Sequence, residues 1–292
     1  MSLPDTRSTP VRRPTFGWAL ELLHRPVVLH ASSPDPQGRD VHVLDFAVDS
    51  SLFAAFGLVQ DLELSGVLPF RVYQEGAGVG GVASQAAPEI SHTALRDPRI
   101  GVAYSLDETL NVRGLGLRLA LDTSLPLGNG QVFSGERSLL ALPVVSLAFQ
   151  RSAFRSSASI GLRMRRAVDF GGVRLGNQAF IALGVGVEFL TPGLLFFGVE
   201  AFGSPSLANN RSASASPLVT DVQLFPAEWL ATLHSTLGTT SFAFSLGAGS
   251  GIPLSSETRT SSSGPSTSHF LGLTTPDFRS LLVVRYTLSA PR

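Results

Sequence analysis

Histidine, serine and the charged side chains are the residues of this chain that could do chemistry, and their spacing decides what kind. The histidines are His24, His30, His42, His92, His234 and His269. None stands in an HxxxH or HExxH arrangement, so no pair of zinc-type ligands is set up on one helical face. The chain has no Cys, which removes thiol catalysis, disulfides and thiolate metal sites. No metal site or cofactor is expected. His234 is the histidine of mechanistic interest, because it falls on an alternating stretch and faces the same way as Glu228 and Thr232. A Ser–His pair there would be the nucleophile and base of an outer-membrane lipid-cleaving enzyme. Such a pair also needs an orienting third group and must meet the lipid. No motif marks either, and a polar residue of an inner wall is the plainer reading of His234. The glycine run 76–81 (GAGVGG) lacks the Lys-Ser/Thr and the helix that a phosphate loop requires. It reads as a loop tip. On these grounds the chain is not expected to be an enzyme.

The charged residues are more orderly. Asp45 and Asp49 oppose Leu44, Phe46 and Val48, and Glu188 opposes Val185 and Val187. Arg279 and Arg285 oppose Phe278, Leu282, Val284, Tyr286 and Leu288, while Glu228 and His234 oppose Trp229 and Leu233. Glu63, Arg71, Arg118, Asp122, Arg163, Arg165 and Glu200 fall on the polar half of their own stretches in the same way. An Arg facing hydrocarbon costs about 2–4 kcal/mol near a bilayer midplane. All these positions are therefore expected to line the lumen of a membrane barrel. Both signs occur in similar number, so the groups can pair across a narrow lumen and fill it. Trp18, Tyr104, Trp229 and Tyr286 are candidates for aromatics at the membrane interfaces.

The elements that would hold these residues are strands. Phe242, Phe244, Leu246 and Ala248 interleave with Ser241, Ala243, Ser245 and Gly247, and Leu115, Leu117, Leu119 and Leu121 with Gly116, Arg118, Ala120 and Asp122. A period of two means a strand with one apolar and one small or polar face. Twelve strands are expected, at 15–29, 41–57, 61–73, 98–106, 113–125, 138–150, 156–168, 177–189, 194–204, 225–236, 240–252 and 276–288. The connections at 58–60, 107–112, 151–155, 190–193 and 237–239 are tight, and those at 30–40, 74–97, 126–137, 169–176, 205–224 and 253–275 are long. Tight and long alternate throughout. A soluble sandwich has no reason to put its long loops at one end, whereas a membrane barrel has short periplasmic turns and long extracellular loops. The Ser-rich segment 255–268 is expected to be an exposed, mobile loop.

Composition agrees. Charged residues are 15% and hydrophobic ones 43% of 292 residues, with zero net charge. Mean hydropathy is +0.23, yet no run of roughly 20 apolar residues exists for a membrane helix. The expected fold class is all-β: a transmembrane antiparallel up-and-down barrel of twelve strands over 15–288. Residues 1–14 are expected to be a flexible N-terminal segment, and 289–292 a tail or the start of a linker. The N-terminus has no apolar signal region. A barrel must be exported, so a mature form with an added start Met is expected. The neutral balance and the lack of a basic cluster beyond Arg163, Arg165 and Arg166 argue against a nucleic-acid partner.

Four segments resemble a known family. Leu58–Pro69 (LVQDLELSGVLP) resembles a turn and third strand, Asp97–Leu106 (DPRIGVAYSL) the following strand, Leu115–Gly128 (LGLRLALDTSLPLG) a fifth strand ending in Leu-Pro-x-Gly, and Thr275–Tyr286 (TPDFRSLLVVRY) a last strand. Together they are similar to the N-terminal barrel of OmpA-family outer-membrane proteins of the myxobacterial and deltaproteobacterial type. The resemblance implies an exported barrel followed by a periplasmic domain that holds peptidoglycan. No residue of this chain matches that second domain. Residues and resemblance together favour a structural anchor or cell-surface interaction protein with a side-chain-filled lumen, in the outer membrane of a Gram-negative bacterium. Its partners would be the lipid bilayer and a cell-surface or periplasmic protein. The alternative is a passive pore or transporter for small solutes, with an outer-membrane lipid-modifying enzyme as a third reading.

Overall fold

The chain is all-β because its alternating stretches are long, rich in Leu, Val and Phe, and broken only at Gly, Pro, Ser and Asp. The computed structural model describes residues 11–31, 39–78, 90–106, 114–130, 134–136, 138–170, 173–189, 194–207, 219–223, 225–236, 241–261, 264–270 and 275–288. The expected end segments 1–14 and 289–292 lie largely outside them.

The strands begin with β1 (Pro14–Ala31), β2 (Arg39–Val59), β3 (Leu62–Glu75), the short β4 (Ala94–Leu95), β5 (Arg99–Ser105) and β6 (Leu115–Ser124). Next come β7 (Leu140–Arg151), β8 (Phe154–Arg163), β9 (Val168–Phe170), β10 (Val173–Leu175), β11 (Gln178–Phe189) and β12 (Leu195–Gly203). The last are β13 (Val219–Gln223), β14 (Ala227–Thr236), β15 (Phe242–Ile252), β16 (Ser255–Ser261), β17 (Gly264–Phe270) and β18 (Phe278–Thr287). Twelve of them close a barrel in the order β1-β2-β3-β5-β6-β7-β8-β11-β12-β14-β15-β18, and β18 returns to β1. Every ladder is antiparallel. At the seam Leu20 stands opposite Leu282, and Thr15 opposite Thr287. The twelve strands sit where the alternation places them, with ends shifted by a few residues.

The end of the barrel that holds Pro14 and Thr287 carries the tight turns. Val59 pairs with Leu62 and Arg151 with Phe154, so each hairpin turns through only two residues. Asp61 (φ 66°) and Ser152 (φ 54°) take the left-handed conformation these turns need. The other end carries the longer connections and has structure of its own. β9 and β10 form a small hairpin, and β13, β16 and β17 a separate three-stranded sheet. The segment expected as a mobile loop, 255–268, is thus mostly a hairpin, with Ser255 opposite Phe270 and Ser261 opposite Gly264. Its pairing is between polar residues, so it left no apolar alternation to read.

The outer face carries the apolar half of each strand. Ile160 is 62% exposed, Leu183 59%, Leu246 57% and Leu52 50%. Such an uninterrupted apolar belt is what a lipid-facing wall requires and what a water-facing wall avoids.

Candidate functional site

The register fixes which side chains share the inner face. Across one stretch of wall, Glu63, Ala103 and Ala120 follow one another on β3, β5 and β6, and Val144 and Gly161 continue the row on β7 and β8. Across another, Glu200, Leu230 and Gly249 lead to Arg279 on β18. The inner face is therefore the small and charged half of the alternation.

Charges on this face meet their partners across strands. Asp49 on β2 is a hub: Arg71 on β3 donates to it through Nε at 2.7 Å and Nη2 at 3.0 Å. Arg96, from the connection between β4 and β5, also donates to Asp49 Oδ2. The remaining Arg71 Nη1 donates to Gln74 Oε1 at 2.9 Å, and Gln74 Nε2 donates to the Ser91 carbonyl at 2.7 Å. Asp49 and Arg71 are 2% and 4% exposed. Two parallel N–H···O bonds in a dry site are the geometry for which a guanidinium suits and an ammonium does not. All 22 cationic side chains of the chain are in fact Arg.

Farther round, Arg279 pairs with Glu228 at 2.8 Å and Glu21 at 3.0 Å and lies over the Phe202 ring. Toward the tight-turn end, Arg118 donates to Glu63 at 2.7 Å, and Arg155 pairs with Glu188 while lying over Phe196. At the opposite rim Arg25 contacts Asp45 and Asp277. Asp97 accepts the backbone N–H of Gly128 at 2.7 Å and of Glu136 at 2.6 Å, and so ties down the connection after β6. Glu136 in turn pairs with Arg165 at 2.7 Å.

The expected inner residues therefore fall into groups. Asp49, Glu63, Arg71, Arg118, Glu188, Glu228 and Arg279 are ion-paired within the wall. Asp45 sits at the rim, with 44% of its side chain exposed. Arg165 lies beyond the end of β8 and binds a connecting segment, so it is not part of a strand wall. The expectation that Arg163 pairs with an inner carboxylate is not met: among the described residues neither Arg163 nor Arg99 makes an ion pair. Asp122, Glu200 and Arg285 likewise make none among the described residues. Trp18 and Trp229 are on the outer face, each donating its indole N–H to a serine of the next strand, Ser50 and Ser250, at 2.8 Å. Tyr104 is 42% exposed on the same face, and Tyr286 packs on Phe242.

His234 Nδ1 lies 2.8 Å from Ser245 Oγ. Both are on the inner face, opposite each other on β14 and β15 and turned away from the lipid side. Among the described residues no three His, Asp or Glu side chains come together as metal ligands.

Sequence reasoning left out Glu21, Arg96, Asp97, Arg99 and Arg155 from the inner set. Glu21, Arg99 and Arg155 did carry a signal, since each lies on the polar half of a strand. Arg96 and Asp97 lie where no period runs; Arg96 reaches Asp49 on the wall, and Asp97 holds the connection after β6.

Exposure is uneven over the inner face. On β11, β12 and β14 it is packed: Phe180, Glu200, Glu228, Leu230 and Thr232 are all buried. On β3, β7 and β18 the inner Val67, Leu142, Val144, Leu281 and Val283 are only half-buried, and Arg99 on β5 is exposed. The division is not by side, since Glu63 and Arg71 on β3 and Ser146 on β7 are buried as well; open positions are set among packed ones.

No family model matches the chain, and no curated protein matches it. Among solved structures it is similar to the COG4313 outer membrane channel from Pseudomonas putida F1, with 12% identity and a TM-score of 0.66, over 99% of this chain and 100% of that one. It is also similar to the TodX monoaromatic hydrocarbon channel (10% identity, TM-score 0.44, 99% and 93% covered) and to Salmonella typhi OmpF (9%, 0.39, 94% and 97%). The last two scores are too low to carry an argument. The first likeness shows a barrel fold, and none shows the OmpA family. The chain is a closed twelve-stranded antiparallel barrel of the outer-membrane type.

Proposed function

We propose that the chain is a passive channel for small solutes in the bacterial outer membrane. One observation carries the reading: Arg99, opposite Val67 in the middle of β3, is on the inner face and exposed to solvent. A barrel filled by its own side chains would bury that residue. The likeness to a Pseudomonas putida outer membrane channel over its full length supports the same reading. Reconstitution into planar bilayers tests it. Stable single-channel steps are expected, and a folded barrel that gives none would sink the channel.

A structural anchor of the OmpA type is the second reading. The packed wall over β11, β12 and β14, with Glu228 ion-paired to Arg279, favours it, because those groups stiffen a barrel whether or not solute passes. A lipid-cleaving role for His234 and Ser245 has less support, since their pair points away from the bilayer. Tyr104 and Tyr286, near the tight-turn end, are proposed to meet the headgroups of the periplasmic leaflet.

A further inference from the structure

The inner face is balanced in total charge, but the charge a solute would meet is not balanced. Asp49, Glu63, Glu200 and Glu228 are buried. Glu21 and Glu188 are more open, yet each sits on an arginine. Arg99 is exposed, Arg163 is half-buried, and among the described residues neither has an ion-pair partner. Arg163 lies in the field of Arg165 and Arg99, and Arg99 in that of Arg96. The carboxylates near them are few. Asp49 is shared by Arg71 and Arg96 and Glu136 is taken by Arg165, which leaves Asp122, half-buried in the fields of Arg99 and Arg118, as the one carboxylate near them without an ion pair among the described residues.

A second observation is independent of charge counting. Arg163 Nε is buried without a hydrogen-bond partner. Gln178 is its register neighbour on β11, and its Oε1 is also without one. This stretch of the wall thus carries an unpaired donor and an unpaired acceptor next to each other. Half-buried apolar residues of the inner face add the third feature. Leu142 and Val144 stand on β7, next to the strand of Arg163 and two strands from that of Arg99.

We propose that this part of the lumen is a binding site for small amphiphilic carboxylates. Arg99 and Arg163 take the carboxylate, and Leu142 and Val144 take the hydrocarbon tail. Arginine gives the fork that a carboxylate accepts, and the apolar wall rewards chain length. The inference rests on the channel reading and names its solute.

Bilayer recordings of the refolded chain test it. Under a KCl gradient the reversal potential should show chloride favoured severalfold over potassium. Arg99→Ser with Arg163→Ser should bring that preference close to one, while Arg151→Ser, on a tight turn at the other end, should leave it unchanged. Hexanoate should block chloride current at lower concentration than acetate, by up to about fourfold for each CH2 that reaches the apolar wall. Steady conductance that prefers potassium, or shows no preference, would overturn the carboxylate site and leave the channel standing. Equal block by acetate and hexanoate would overturn the apolar half of the site. A folded barrel with no conductance would overturn the channel, and the site with it.

Discussion

Removing the charge of Asp49 would leave Arg71 and Arg96 facing each other without the carboxylate both contact. Arg71 is buried and holds Gln74, which in turn holds Ser91. Asp49→Asn should cost about 3–5 kcal/mol, the range for stranding a buried ionic partner. Chemical unfolding in detergent reads that loss. Arg118→Ser should cost less, because Glu63 lies nearer the barrel end and Arg118 keeps more solvent contact. A smaller change for Asp49→Asn than for Arg118→Ser would show that the Asp49 hub is not what secures β2 to β3. The same residues show how far single side chains could be read from sequence. The face of Asp49 and Arg71 follows from their own strands. Their partnership does not, because it depends on the register between two strands and on a bulge beside Asp49.

At the scale of the strand, glycine decides where ladders can close. A Cβ on Gly249 would run into the Trp229 carbonyl oxygen and lie 2.9 Å from Leu230 Cα. Backbone atoms of a paired strand cannot swing aside as a side chain can. Gly249→Ala should therefore loosen β14 from β15 and lower stability by about 1–3 kcal/mol, with faster amide exchange confined to those two strands. Protection unchanged along both strands would refute the clash. Strand existence was legible because lipid and lumen impose opposite polarities on successive residues. Phe242–Ile252 could be drawn from its alternation within two residues. β16 and β17 could not, since Ser, Thr and Gly dominate both strands and leave no apolar alternation. The break in register after His24 was hidden as well. It follows the left-handed Arg25 (φ 49°), a residue type with no preference for that conformation.

For the whole molecule, closure matters more than any one contact. A barrel with no free edge and an apolar outer wall should resist detergent until heated. An unboiled sample is expected to migrate faster on a denaturing gel than a boiled one, with β-type circular dichroism before heating. A chain that stays soluble and monomeric without detergent would refute the membrane assignment. The site was less legible than the fold, for a physical reason. Alternation places residues inside but does not say which of them keep contact with water. That required the packing of all twelve strands, which buries Glu200 and leaves Arg99 open.

The seam between β1 and β18 sets the order of assembly. Thr15 and Thr287 touch through their hydroxyls at 3.1 Å, although 272 positions separate them along the chain. The other ladders of the barrel join strands that follow one another around it, and each can zip as a hairpin. The seam cannot begin until the rest has curled far enough to bring the two ends of the chain together, and such distant pairings form slowly. Until then β1 and β18 are bare edges that any extended chain could join. The growing barrel must be sheltered at those two strands longer than anywhere else.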